Sequence, residues 1–191
     1  IRMKEDHMLN GQLEPAYNLQ HGVDAEYITW LTITPNPTDT RTLIPFVEDM
    51  NEHLSFQYST IVADAGYESE ENYSFLEDNK LTAIIKPSNY EQSKKKKYKN
   101  NIGLAENMKY DAANDCYICK AGKLIEYAGD HTRHNKDGYE KQITLYECRS
   151  CDGCPYKSEC IRGSNWKKPE EERFKRLSIP KKFMRQRKEC I

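Results

Sequence analysis

The 191-residue sequence predicts an α/β fold with a sheet of mixed direction and flanking helices, followed by a small cysteine-rich body and a basic end. Three observations carry this. Across the first 90 residues, runs of strand character alternate with runs of helical period. Six of the seven cysteines fall within residues 108–160. The net charge of −1 conceals a gradient: residues 1–90 hold 5 Lys/Arg against 15 Asp/Glu, residues 91–160 hold 13 against 11, and residues 161–191 hold 11 against 4.

Residues 1–14 are polar and show no period. The stretch "PAYNLQHGVDAEYITWLTITP" (15–35) reads as two strands, because β-branched and aromatic residues crowd 27–34 and "GVDAE" supplies a turn. The period then changes. Leu43, Val47, Met50 and Leu54 recur at helical spacing. Thr38, Asp39, Thr40 and Thr42 are all candidate N-caps, and a start near Thr42 accommodates Pro45 in the first turn. "YSTIVADAG" is a third strand, ended by Gly66. "ESEENYSFLEDNK" is a helix with Ser69 as N-cap and an acidic first turn that suits the helix dipole. "LTAIIKP" (81–87) is a fourth strand. The order β-β-α-β-α-β implies a mixed sheet.

Beyond it, residues 91–107 read as a basic linker carrying Lys94–Lys97. Residues 108–162 form the cysteine-rich insertion, with strand-like pieces at 123–127 and 141–147. Residues 163–191 read as a basic helical segment leading back to the core. The hydrophobic fraction of 37% and mean hydropathy of −0.92 are low for a compact protein. No run suits a membrane span and no signal peptide opens the sequence, so a soluble, cytoplasmic protein is expected. The chain opens at Ile1 and closes in "RQRKECI", which reads as a piece of a longer protein.

The cysteines run C-x2-C (Cys116, Cys119), then C-x2-C-x2-C-x5-C (Cys148, Cys151, Cys154, Cys160), with Cys190 apart. Paired thiols on two turns, joined by a loop, have the spacing of a tetrahedral zinc site. Cys119, Cys151, Cys154 and Cys160 are the expected ligands, with Cys116 and Cys148 as alternates. Reduced, unliganded thiols and a redox or disulfide role are the other readings. His131 and His134 read as surface residues. Zinc held by protein ligands alone would staple the insertion and perform no chemistry.

Asp64 closes a strand immediately before a glycine turn and a helix. That places a carboxylate at the C-terminal edge of a sheet, where ligand sites of α/β folds gather, and a hard oxygen suits Mg²⁺ or Mn²⁺. An aspartate there also serves as a plain turn residue.

Three blocks, "YNLQHGVDAEYITWLTITPNPTDTRTLIPFVEDM", "IVADAGYESEENYSFLEDN" and "YECRSCDGCPYKSEC", resemble bacterial insertion-sequence transposases of the DDE type, in the subgroup with a cysteine-bearing insertion in the catalytic domain. The resemblance runs from Met3 to the cysteine cluster and more loosely to the end. It implies a ribonuclease H-like fold interrupted by a zinc-ribbon-like insertion. It also implies three acidic residues that hold two divalent ions, Mg²⁺ or Mn²⁺, for in-line attack on a DNA phosphodiester. Asp64 maps onto the second acid, and Tyr67 lies beside it, as a site residue or as a packing aromatic. No residue before Tyr17 fits the first acid, Asp6 included, and Glu189 does not match the third. The expectation is therefore a central fragment that performs no strand transfer alone and binds Mg²⁺ weakly.

The implied partner is double-stranded DNA, both transposon ends and target, with a homodimer as the intact enzyme. Arg173, Lys175, Arg176, Lys181, Lys182, Arg185, Arg187 and Lys188 are the pool of phosphate-contacting residues. Trp166 and Phe174 pack or stack on bases. A solvated basic tail is the plainer reading of the same charges. Two rival functions keep the same features: a zinc-stabilised nucleic-acid-binding module without catalysis, and an interaction protein in which zinc organises a surface.

Overall fold

The computed structural model describes residues 9, 11, 16–161, 169 and 172–190; Asp6 and Trp166 lie outside the described residues. The chain divides into two compact units, residues 1–88 with 186–191, and residues 89–185.

The first unit opens with a hairpin, β1 (Asn18–Asp24) antiparallel to β2 (Tyr27–Thr34). Its turn residues Ala25 and Glu26 take φ of 46° and 73°, the left-handed geometry that matches the twist of the two strands. A bulge falls at Gly22/Val23. A Cβ at Gly22 would stand 3.1 Å from the Phe46 ring, so glycine lets the hairpin pack closely on α1 (Leu43–His53). Leu43, Val47 and Met50 are the buried stripe of α1, as the helical spacing predicts. Trp30 on β2 donates its indole N–H to Asp49 at 2.8 Å and stacks on His53, which fastens the hairpin to the helix.

β3 (Thr60–Ala63) runs parallel to β4 (Thr82–Ile85), with α2 (Glu70–Asp78) as the crossover between them. Ser69 caps α2 by accepting the Asn72 backbone N–H at 3.0 Å. Tyr73 and Leu76 of α2 are buried, with Leu76 fully enclosed. The outer face is different: Leu19, Leu31, Ile33, Val62 and Ile84 are all exposed apolar residues on alternate strand positions. The pairings are therefore mixed, one antiparallel and one parallel.

The second unit begins with two short helices, α3 (Tyr90–Ser93) and α4 (Lys96–Lys99), in the polar run that reads as a linker. Tyr98 ties that run down by donating to Glu106 at 2.7 Å and accepting from Asn89 at 2.9 Å. Five antiparallel strands follow in the spatial order β5 (Lys109–Asp111), β6 (Cys116–Ile118), β7 (Leu124–His134), β8 (Glu140–Glu147) and β9 (Arg176–Ile179). A single helical turn, α5 (Lys157–Cys160), precedes β9, and α6 (Lys181–Glu189) closes the chain, running on into residues of the first unit. The core is Tyr117, Ile125, Tyr146, Cys148, Leu177 and Ile179, with Met184 packed against it.

The closing segment was expected to be helical throughout. Its described part instead contains β9. Leu177 and Ile179 are buried while Arg176 and Ser178 are exposed, a strand period too brief to stand out among charges.

Candidate active site

Asp64 follows the last residue of β3 and caps a short 3-10 turn, Ala65–Tyr67. Its Oδ1 accepts the Gly66 backbone N–H at 2.7 Å. The turn reading and the open-carboxylate reading are thus compatible, because the cap uses one oxygen and the residue is exposed.

A second carboxylate stands beside it. Asp39 opens a short 3-10 turn, Asp39–Arg41, just before α1, and its Oδ1 accepts Asn18 Nδ2 at 2.8 Å and Gln20 Nε2 at 3.4 Å. Gln20, only 4% exposed, also donates to Asn18 Oδ1 at 2.7 Å and accepts the Tyr67 hydroxyl. Asn72 secures the arrangement from α2 by donating to the Tyr67 carbonyl at 2.7 Å and the Thr40 carbonyl at 3.1 Å. A Cβ built on Gly66 would lie 2.8 Å from Asp39 Oδ2 and 3.0 Å from Asp64 Oδ1, so only glycine fits between the two acids without displacing them. The sequence reading took Asp39 as a candidate helix cap and missed it as a site residue. The actual cap position is Thr42, whose side chain makes no cap bond.

Of these residues Gln20, Asp64 and Tyr67 border a cavity of about 480 Å³, whose lining also includes Gly22 and Asp24 of β1 and Thr60 and Val62 of β3. Phe46 and Met50 line it as well. Burial raises the Tyr67 phenol to about 12, helped by the charges of Asp39 and Asp64. A phenol is charged when deprotonated, so this contribution to stability is complete below pH 10 and declines as pH rises toward 12. Absorbance titration at 295 nm should show Tyr67→Phe removing one late-titrating phenol, with Asp39→Asn moving that phenol to lower pH.

The transposase DDE domain family matches residues 2–183. The chain belongs to the DDE transposase family. No curated protein and no solved structure matches it. The α/β architecture is consistent with a ribonuclease H-like DDE domain, and the family acts on DNA with divalent metal ions. No helix among the described residues is long and apolar enough to cross a membrane.

The acids of this DDE domain fit a hard cation. Asp39 and Asp64 each have one oxygen anchored by N–H donors. Among the described residues neither acid has an ion-pair partner, and neither Oδ2 has a hydrogen-bond donor. Oxygen donors of this kind suit Mg²⁺ or Mn²⁺. Among the described residues no group of three or more His, Cys, Asp or Glu side chains, the cysteines included, is arranged to hold a metal ion.

The cysteines gather in the second unit. Cys119, Cys148, Cys151, Cys154 and Cys160 line one small cavity of about 20 Å³ together with Lys175. Cys116 is buried on β6 and does not line it. The Lys175 backbone N–H donates to Cys151 Sγ at 3.3 Å, and its ammonium donates to the carbonyls of Gly103 at 2.6 Å and Cys160 at 3.3 Å. Burial pushes the Cys151 thiol up to about 11 and raises that of Cys160 as well.

Of the eight basic residues in the expected pool, Arg176, Lys181, Lys182, Arg185 and Lys188 are exposed, and Arg173 is half-buried. Arg176 pairs with Glu147 at 2.5 Å and Lys181 with Asp115 at 3.2 Å. Lys175 turns inward to the cysteine cavity, and Arg187 is held by Glu68. Sequence alone does not separate these two from the others, since an inward Lys or Arg looks like any other in a charged run.

Proposed function

We propose that this DDE domain serves metal-dependent DNA cleavage and strand transfer in the movement of an insertion sequence, with Asp64 as a carboxylate ligand of Mg²⁺ or Mn²⁺. The observation that supports this most is the position of Asp64. It follows a strand of a parallel pair, it is exposed, and it borders a cavity. A bound cation supplies charge stabilisation to a phosphodiester and acidifies an attacking water or 3′-hydroxyl. Tyr67, oriented by Gln20, borders the same cavity and acts as a positioning residue. The resemblance implies three acids, of which it assigns one here, so this chain by itself performs no strand transfer.

Double-stranded DNA, transposon end or target, would meet exposed Arg176, Lys181, Lys182, Arg185 and Lys188 through its phosphates, with Arg173 in support. Lys175 and Arg187 take structural roles in this reading. The cysteine-rich insertion, residues 108–162, holds a structural zinc ion through Cys119, Cys151, Cys154 and Cys160. Cys148 is the nearer alternate and Cys116 the remoter one. The assembled enzyme is a homodimer acting in the bacterial cytoplasm.

The test pairs two measurements on the full chain. Electron paramagnetic resonance of Mn²⁺ should show uptake that Asp64→Asn removes. Fluorescence anisotropy with a labelled DNA duplex should show binding that weakens steeply with salt, with the slope reduced by about one in Lys188→Ala. DNA binding without Asp64-dependent Mn²⁺ uptake would instead favour the zinc-stabilised nucleic-acid-binding module.

A further inference from the structure

We infer that the β7–β8 hairpin is a groove-binding ribbon, whose outer half enters the major groove of a DNA duplex with Arg133 as its leading contact. The inference rests on the reading that this domain binds double-stranded DNA, and it adds an element outside the basic closing segment.

The strand pairing shows a ribbon that outruns its sheet. β6 pairs with β7 over Leu124–Glu126 alone, and β9 pairs with β8 over Thr144–Glu147 alone. Beyond those limits His131–His134 of β7 pair with Glu140–Ile143 of β8 and, among the described residues, with no other strand. Residues 130–138 are exposed without exception. A two-stranded hairpin on its own is marginally stable in water, so core packing does not account for the extension. Four residue pairs give about 14 Å of strand. The major groove is about 12 Å wide and about 8.5 Å deep, and it admits a two-stranded ribbon.

The two faces of the ribbon differ in charge. Cross-strand partners share a face. His131, Arg133, Lys141 and Ile143 lie on one, which carries basic groups and no acid. Asp130, Thr132, Glu140 and Gln142 lie on the other, where the acids are engaged: Thr144 donates to Asp130 at 2.8 Å, and His134 faces Glu140 at 3.8 Å. On the first face Arg133 stands directly opposite Lys141, a like-charge pair that disfavours the hairpin. Among the described residues no carboxylate pairs with the Arg133 guanidinium. The first turn of α6 lies on this same face, with the Lys141 ammonium 4.8 Å from the Phe183 ring, and Lys182 stands 6.0 Å over Tyr139. The basic face is thus continuous with the start of α6.

Charge alone suits any polyanion, and the shape selects among them. A narrow ribbon with one basic face reaches the floor of a groove, where an arginine meets guanine O6 and N7. The DDE family to which the chain belongs acts on DNA.

The experiment measures binding of the full chain to a labelled duplex by fluorescence anisotropy across a salt series, for wild type, Arg133→Ala, Arg133→Glu and Lys188→Ala. Dimethyl sulfate then probes guanine N7 on the bound duplex. Arg133→Ala removes an exposed side chain from a like-charge pair, so it should melt at or above the wild-type temperature. It should weaken binding about tenfold and lower the salt slope by about one, and Arg133→Glu should weaken it further. Wild type should shield guanine N7, which faces the major groove, and Arg133→Ala should leave it reactive. Wild-type affinity and slope in both Arg133 variants, alongside loss in Lys188→Ala, overturns the inference and leaves DNA contact by the closing segment standing. Guanine N7 that stays reactive under wild type overturns it too, because contact is then to phosphates outside the groove. Arg133 variants that dissociate a dimer in sedimentation while binding DNA normally would assign the ribbon to a second copy of the chain instead. A wild-type chain that binds no duplex overturns this inference and the proposed DNA contact together.

Discussion

Arg187→Ala should destabilise the first unit by about 3–5 kcal/mol, the range seen when one partner of a buried ion pair is removed. The Glu68 side chain is 1% exposed and that of Arg187 20%. Arg187 Nε meets Glu68 Oε1 and Nη2 meets Oε2, both at 2.6 Å, a bidentate fork. The Ser88 backbone N–H donates to Oε2 at 2.7 Å, and the Tyr73 hydroxyl donates to Oε1 at 3.2 Å. Loss of the guanidinium leaves a buried carboxylate with neutral donors alone. Lysine cannot reproduce the fork, so Arg187→Lys should recover only part of the loss.

The pH dependence checks the cause. Burial alone would raise the Glu68 carboxyl, but its bonds to Arg187 and Ser88 outweigh burial and hold it below its usual 4.5. A depressed folded pKa gives stability that is present above 4.5 and lost as pH falls through the folded value. Urea denaturation should therefore show a wide gap between wild type and Arg187→Ala at neutral pH, narrowing below pH 4.5. A gap that ignores pH would mean that Arg187 acts through packing of its stem. The contact also bears on the site. Glu68 follows Tyr67 directly, and Gln186 adds bonds to Ser74 at 3.2 Å and Glu77 at 3.0 Å, so α6 braces the segment that presents Asp64.

Much of the first unit is legible in the sequence because its signals are local. The hairpin, α1, β3, α2 and β4 each announce themselves by period, and Ser69 caps α2 as its residue type suggests. Asp64 is legible for the same reason, as a strand, a carboxylate and a glycine turn in a row. Asp39 is not. Its bonds reach Asn18 and Gln20 across 21 and 19 positions, and its neighbour Asp64 is farther still. An aspartate a few residues ahead of a helix reads the same whether it caps, ligates or does neither. In the second unit β5, β6 and β9 are three or four residues long, below the length at which alternation separates from chance. Their sheet is specified by cross-strand partners such as Tyr117 and Tyr146, whose rings meet edge to face at 5.1 Å.

If the second unit holds the proposed zinc ion, removing it should have the largest effect there. Cys119 sits in a turn closed by its own N–H donating to the Lys123 carbonyl at 3.0 Å and by the Gly122 N–H returning to the Cys119 carbonyl at 2.9 Å. Gly122 takes φ of 74°, a conformation that disfavours any side chain there. The facing turn repeats the device: the Cys154 N–H donates to the Cys151 carbonyl at 3.3 Å, and Gly153 takes φ of 62°. The cavity between them, about 20 Å³, accommodates one small occupant. Soft thiolates select zinc, and each must shed a proton to bind, so affinity should fall steeply in acid.

Structural zinc contributes about 10–16 kcal/mol of apparent binding energy in small peptides that fold only with metal. The second unit has its own apolar core of Tyr117, Ile125, Tyr146, Leu177 and Ile179, so chelation should loosen the cysteine turns and lower the melting temperature while the sheet persists. Atomic emission on purified chain should find one zinc per molecule. Cys154→Ser removes a proposed ligand itself and should weaken zinc binding by more than the about 10–100-fold lost when an outer-shell partner is disturbed. Cys116→Ser should retain it, because that thiol lies outside the cavity. If the chelated and zinc-loaded chains melt alike, the five thiols are core residues and the ion holds nothing together.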